Sequence, residues 1–196
     1  MPHSVGPEFF DAIFARDLDP WGFETSAYER AKYADTLQHL ARARYRSGLE
    51  IGCATGVLSG LLADRCEQFL GVDFSEIALA EARRRHAARA GIAFARLHLP
   101  REAPAGRYDL IVLSEVLYFM TRSDVAATAA VVARLAEPGA TLMLVHWLGQ
   151  SEDHVLSGDE AVETFVDAAA DFASVNGRVR REGYRLDVLT TAEQRP

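Results

Sequence analysis

Leu49-Glu-Ile-Gly-Cys-Ala-Thr-Gly56 is the stretch that decides the fold. An apolar strand end delivers an acid, Glu50, and two glycines, Gly52 and Gly56, follow around a tight turn. The run Val57-Leu-Ser-Gly-Leu-Leu-Ala63 is helix-like and comes at once. A second strand pattern, Phe69-Leu-Gly-Val-Asp73, again ends in an acid. Strand, glycine turn, helix and strand in that order make a βαβ unit able to cradle a nucleotide. Its second acid sits where ribose hydroxyls are held.

The two acids also say something about the ligand's charge. A carboxylate at the end of a buried strand is costly unless it binds something. Both acids lie at C-terminal strand ends, where open α/β sheets bind ligands. A dinucleotide needs the helix N-terminus for its pyrophosphate, and an acid just ahead of the glycines repels that phosphate. It suits a ligand carrying an ammonium group. S-adenosylmethionine has ribose, adenine, an amino-acid moiety and a sulfonium cation, but no phosphate.

Outward from this unit, strands are expected near 48–52, 68–73, 92–97, 108–114 and 140–147, and helices over 56–65, 75–90 and 123–136. Ser75 is placed to cap the second helix and Gly91 to end it. Pro138-Gly139 stops the third. Tyr108-Asp-Leu-Ile-Val-Leu-Ser114 is nearly all apolar, as in a central parallel strand covered on both faces. In the tail, a helix over 159–171 leads to strands at 173–180 and 184–190. The link Arg181-Glu-Gly183 is too short for a parallel crossover, so these strands are antiparallel neighbours. Asn176-Gly177 is a competing hairpin signal that ranks second, because it leaves only short strands. Residues 1–46 read as mainly helical, with Phe9, Phe10, Ile13 and Phe14 at helical spacing and a break at Asp17-Leu-Asp-Pro-Trp-Gly22. Ser26 caps a helix reaching about Arg42, with Glu29 as its capping-box partner. The expected fold is a single α/β domain over 1–196: a Rossmann-like three-layer sandwich on a seven-stranded, mostly parallel sheet. One strand near the C-terminus is antiparallel. Residues 1–46 form a helical cap over the cleft, and 47–190 form the core.

Composition narrows the function classes. The 196 residues are 49% hydrophobic and 25% charged, enough for one full core. A net charge of −7 argues against nucleic-acid binding, which needs a basic face. The arginines at Arg42–Arg46 and Arg83–Arg89 read as solvated helix faces. The two cysteines, Cys53 and Cys66, do not suggest a disulfide framework. No metal-ligand spacing is present, and no apolar run approaches the roughly 20 residues that span a bilayer. The N-terminus lacks the basic and apolar regions of a secretory signal. A cytoplasmic monomer or weak dimer, with no nucleic-acid or membrane partner, is the expectation.

Three segments together resemble the successive motifs of class I S-adenosylmethionine-dependent methyltransferases: Glu50-Ile-Gly-Cys-Ala-Thr-Gly56, Gly71-Val-Asp-Phe-Ser75 and Tyr108-Asp-Leu-Ile-Val-Leu-Ser-Glu-Val116. The resemblance covers about residues 48–147. More narrowly, Asp19-Pro-Trp21, Arg42-Ala-Arg-Tyr-Arg46, Ser114-Glu-Val-Leu-Tyr118 and Val145-His-Trp147 are similar to the nodulation protein S family. Its members N-methylate the free amine of a partly deacetylated chitin oligosaccharide. The resemblance implies S-adenosylmethionine as cofactor, S-adenosylhomocysteine as product and a small-molecule acceptor, an amino sugar first. Methylation of another metabolite at nitrogen or oxygen, or simple cofactor binding, are the other readings. The sequence departs from the general pattern at Ala54, where relatives carry a glycine, and at His98, where they carry an acid for the adenine amine. Alanine costs little unless the backbone there needs a positive φ, and a neutral histidine still accepts a hydrogen bond.

The resemblance implies cofactor contacts at Trp21, Arg30, Glu50, Gly52, Cys53, Gly56, Asp73, Phe74, His98, Leu99, Ser114 and Glu115. Glu50 positions the cofactor through its backbone network or amino group, while Gly52 and Gly56 let the backbone approach. Asp73 holds the ribose hydroxyls and Phe74 covers the adenine. Arg30 or Lys32 pairs with the methionyl carboxylate, with Tyr28 and Tyr33 closing over the cleft. Glu115 and His146 are the candidate catalytic groups, able to orient an amine and take its proton. Tyr118 and Trp147 are candidates for the acceptor, Trp147 by stacking on a sugar ring. Asp153 and His154 are candidates for the acceptor side.

Overall fold

All seven residues of the strand Tyr108–Ser114 are buried, and the sheet is organised about it. In the computed structural model, which describes residues 3–193, the elements run α1 (Pro7–Phe14), α2 (Ala27–Gln38), β1 (Tyr45–Ile51), α3 (Val57–Ala63), β2 (Cys66–Asp73), α4 (Glu76–Arg85), β3 (Ile92–Arg96) and β4 (Tyr108–Ser114). A 3-10 turn at Leu117–Phe119 follows, then α5 (Arg122–Leu135), β5 (Ala136–Trp147), α6 (Gly158–Ala169), β6 (Ala173–Arg180) and β7 (Tyr184–Thr191). The seven strands form one sheet in the order β3-β2-β1-β4-β5-β7-β6. Pairing is parallel from β3 to β5, and β7 runs antiparallel to both β5 and β6.

Alternation along the strands produces the three layers. Ile111 and Leu113 of β4 pack with Val125 and Val132 of α5 and Phe165 of α6. Leu110 and Val112, pointing the other way, pack with Leu58 and Leu62 of α3 and Tyr33 of α2. A third cluster joins α1 to the sheet end, with Phe10 and Phe14 against Ala78, Phe74 and Phe119.

Several boundaries differ from the sequence reading for local reasons. α2 stops at Gln38. Ser26 caps it, accepting from the Tyr28 and Glu29 amides, but Glu29 does not return the bond; its carboxylate is drawn to Lys32 instead. A reciprocal capping box forms at Ser157 and Glu160, at the start of α6. α4 ends at Arg85, where the His86 ring turns in and its Nε2 lies 2.8 Å from the Gly56 carbonyl oxygen. Gly91 lies beyond that end. A Cβ there would stand 2.9 Å from the Glu67 carbonyl, so its role is close approach to β2. β5 begins before Pro138-Gly139, and that pair falls where the β4–β5 register slips between Tyr108 and Leu110. Asn176-Gly177 is not a hairpin: β6 runs through it with a bulge between Val175 and Gly177.

Candidate active site

A cavity of about 860 Å³ opens at the C-terminal ends of β1, β2, β4 and β5. That volume is in the range of small-molecule sites. Residues 4–23 and the first turns of α2 roof it.

The floor is set by backbone constraints. Gly52 has φ +84°, and a Cβ there would sit 2.6 Å from the Ser114 carbonyl oxygen, so only glycine fits between the β1 and β4 loops. Ala54 has φ +45°. The backbone does need the left-handed region at this position, and alanine accepts a strain of about 1 kcal/mol there. Asp73 holds that conformation. Its Oδ2 accepts from the Ala54 amide at 3.0 Å and its Oδ1 from the Ser75 amide at 2.9 Å. The carboxylate also faces the cavity, and each oxygen keeps acceptor capacity. Beside it stands an apolar and aromatic wall. Phe74 packs against Phe10 at 5.2 Å and His98 at 5.4 Å between ring centroids, and Trp21 and Leu99 continue the lining.

Four expected cofactor contacts are not cavity-lining groups, each for a visible reason. Glu50 lies on β1 between Leu49 and Ile51, which face α5 and α6, so alternation turns it toward α3. There it is buried and accepts from the Ser59 hydroxyl. Burial pushes its carboxyl pKa up to about 8. Cys53 is likewise buried, and burial raises its thiol pKa well above the usual value. Gly56 has φ +77°, and a Cβ on it would meet the Ala82 Cβ at 3.0 Å, so it serves the packing of α3 on α4. Arg30 is exposed and donates to the Thr25 carbonyl at 2.8 Å.

The Glu50 placement gives a test. A carboxyl held neutral by burial, while its unfolded counterpart ionises near 4.5, loses stability for the fold as pH rises from about 4.5 to about 8. Glu50→Gln keeps an acceptor for Ser59 and has no such proton to lose. Its melting temperature is expected to exceed the wild-type value at pH 8, with the gap closing by pH 5. Thermal unfolding at the two pH values checks this; equal gaps would show that Glu50 is not held protonated.

The opposite wall is a cluster of charges. Glu115 follows β4 with φ +53°, which swings its carboxylate back over the strand ends. Its Oε1 takes a hydrogen bond from Lys32 Nζ, and its Oε2 accepts from the Tyr118 hydroxyl at 2.8 Å and the Trp147 amide at 2.7 Å. Lys32 Nζ also donates to Glu29 Oε1 at 3.0 Å. Lys32 is therefore held between two carboxylates, with one of its three N–H donors left over. Burial alone would raise the Glu115 carboxyl pKa, but the Lys32 ammonium and the Trp147 amide hold it below the ordinary glutamate value. For Glu29, burial outweighs the Lys32 ammonium and the Tyr33 hydroxyl beside it and raises its carboxyl pKa. Burial also pushes up the Tyr28 phenol, to about 12.

His146 is not a cavity base. It is fully buried, and its Nε2 accepts the Leu117 amide at 3.1 Å. Burial lowers its pKa to about 4, so the ring is neutral. A lone pair already bonded cannot take a proton from a substrate; the ring fixes the turn that carries Tyr118. Tyr118 and Trp147 do line the cavity, with Ser114, Asp153 and His154. The His154 ring stacks on Tyr118 at 4.1 Å and meets the Trp147 edge at 5.7 Å. Tyr33 lies in the packing between α2 and the sheet, whereas Tyr28 reaches the cavity rim. The sequence reading did not give Glu29 a place in the site. Its only signal was the i,i+3 spacing from Lys32, which says nothing of burial. Phe10, read simply as a helix-face residue, is part of the aromatic wall.

Among the described residues there is no cluster of three or more His, Cys, Asp or Glu able to hold a metal ion. No helix there is long and apolar enough to cross a membrane.

With the geometry in place, likeness to other proteins is informative. The model of the family nodulation protein S (NodS) matches residues 11–165. Nodulation protein S of Bradyrhizobium diazoefficiens is 33% identical over 141 residues, which is 70% of this chain and 65% of that protein. Its counterpart from Rhizobium tropici is 31% identical over 129 residues, 64% of this chain and 53% of that one. The chain thus spans about two thirds or less of the relatives it matches. The crystal structure of the N-methyltransferase NodS from Bradyrhizobium japonicum WM9, in complex with S-adenosyl-L-homocysteine, superposes with a TM-score of 0.80. It covers 93% of this chain and 98% of that one at 24% identity, a likeness of fold.

Proposed function

The chain belongs to the nodulation protein S family, and from that premise we propose that it is an S-adenosylmethionine-dependent N-methyltransferase. The proposed acceptor is the free amine of a small molecule, an N-deacetylated chito-oligosaccharide first. One observation carries the reading: a single cavity joins a ribose-binding type of carboxylate, Asp73, to a buried carboxylate cluster suited to an amine. The residues fit the cofactor. Gly52 lines the cavity floor, and Asp73 has acceptor capacity left for two hydroxyls. Phe74, His98 and Leu99 line the same cavity with largely apolar surface. When bound, S-adenosylmethionine supplies a methyl group activated by its sulfonium.

The protein's own part is placement. Trp147 presents aromatic surface to the C–H face of a sugar, while His154 covers the ring of Tyr118. The acids at positions 29 and 115 attract an ammonium and orient its nitrogen. Alignment of this kind contributes on the order of 7–11 kcal/mol to such displacements. An amine similar to an α-amine, with pKa about 7.7–8.0, needs little help to deprotonate near neutrality. Incubation with S-adenosylmethionine and a chitin oligosaccharide bearing one deacetylated residue is expected to add a single methyl mass on that amine. Methylation of other amines but not this one would sink the amino-sugar claim. Thermal stabilisation by NAD and not by S-adenosylhomocysteine would sink the whole reading.

A further inference from the structure

We propose that Glu29 takes the proton of the acceptor's ammonium group at Oε2, while Lys32 and Glu115 hold it in place. This rests on the N-methyltransferase reading above. Glu29 lines the cavity yet is only 6% exposed. Its Oε1 is occupied by Lys32, and its Oε2 is buried with no hydrogen-bond partner among the described residues. A buried acceptor without a donor costs about 1–3 kcal/mol, and a ligand N–H reaching into the cavity satisfies it. Glu115 offers no such atom, since both its oxygens are bonded. The cluster also has two carboxylates against one ammonium, so an arriving cation restores the balance.

The groups facing Glu29 are Lys32, Tyr28 and Tyr33 from α2, and Glu115 and Tyr118 from beyond β4. Lys32 alone among them is cationic, and it is shared. Burial and the Glu115 charge raise the proton affinity of Glu29, which enters the step as a carboxylate. In the step itself an N–H bond of the ammonium breaks and leaves its electron pair on nitrogen. An O–H bond forms at Oε2. The amine is then neutral with its lone pair free, and Glu29 is an uncharged acid. Glu29 returns the proton to water after the methylated product leaves.

Glu29→Gln keeps an oxygen for Lys32 but cannot take a proton. With the mono-deacetylated chitin oligosaccharide at pH 7, its rate is expected to fall about tenfold, because roughly a tenth of an amine with pKa about 7.7–8.0 is already neutral there. The deficit should shrink steadily as pH rises past the amine's own pKa, because the amine then arrives neutral. Glu29→Asp should recover part of the rate at low pH. An equal deficit at every pH would overturn the assignment, as would the same pH-dependent pattern arising from His154→Asn with Glu29→Gln unaffected. S-adenosylhomocysteine binding by calorimetry shows that the variants remain folded. A readout independent of turnover is the carbon-13 carboxyl titration of Glu29 in the S-adenosylhomocysteine complex. A midpoint above the ordinary glutamate value supports the assignment, and one at or below it overturns it. If the wild type methylates no amine, the acceptor reading fails, and the titration still decides whether Glu29 holds a proton.

Discussion

Glu115→Ala is expected to lower the melting temperature by on the order of 10 °C and to leave no measurable methyl transfer. The carboxylate accepts from three donors at once: Lys32, the Tyr118 hydroxyl and the Trp147 amide. Removing it leaves Lys32, which is 2% exposed, with Glu29 alone, and strips two further buried donors of their acceptor. Breaking one side of a buried ion pair costs about 3–5 kcal/mol. In a chain of this length each kcal/mol moves the midpoint by about 2–4 °C. The pH dependence has a definite sign. The carboxyl is held below its unfolded value, so its contribution is present above about pH 4.5 and is lost as pH falls through the folded pKa. The variant's deficit should therefore narrow in acid. Glu115→Gln, which can still accept from Tyr118 or Trp147, should fall between the two. Scanning calorimetry checks this; a shift under about 2 °C would mean that the cluster is not holding the floor.

Asp73→Ala is expected to weaken S-adenosylhomocysteine binding by about 100-fold or more. Hydrogen bonds to a charged acceptor are worth about 1.5–3 kcal/mol each, and 1.4 kcal/mol is a factor of ten in affinity. Two ribose bonds account for that loss. A second effect adds to it, because Ala54 keeps its left-handed backbone through its amide bond to Asp73. Without that acceptor the glycine turn is free to relax. Asp73→Asn retains one oxygen and should recover part of the affinity. Titration calorimetry decides the matter, and an affinity within threefold of wild type would exclude Asp73 from the ribose site.

Much of the fold was legible because its determinants are local. β4 is apolar at nearly every position, and the Arg181-Glu-Gly183 link forces β7 to run antiparallel. The turn at Gly52 was legible for the same reason. What sequence spacing could not supply was direction. Glu50 and Asp73 both end strands, yet alternation turns Glu50 onto Ser59 and leaves Asp73 at the cavity. His146 looked like a base because histidine at a strand end can be one. Only the fold shows that Leu117, 29 residues away, occupies its lone pair. Arg30 and Lys32 were equivalent candidates by composition, and the helix phase sends one outward and the other in. The Lys32–Glu115 pair joins residues 83 apart, a distance no local pattern reports.

The roof described above is tied down unevenly. α2 is anchored by buried ions: Lys32 to Glu115, and Asp35 to Arg181 and the Tyr184 hydroxyl. Lifting it would strand a buried ammonium. α1 and the chain before it rest on aromatic edges and a few hydrogen bonds, among them Val5 to Phe119 and Ser75 to Asp11. Gly22, with φ +70°, lies between the two parts and can absorb a change of backbone direction at small cost. The cheap exit for a molecule in the cavity is therefore past α1, pivoting near Gly22.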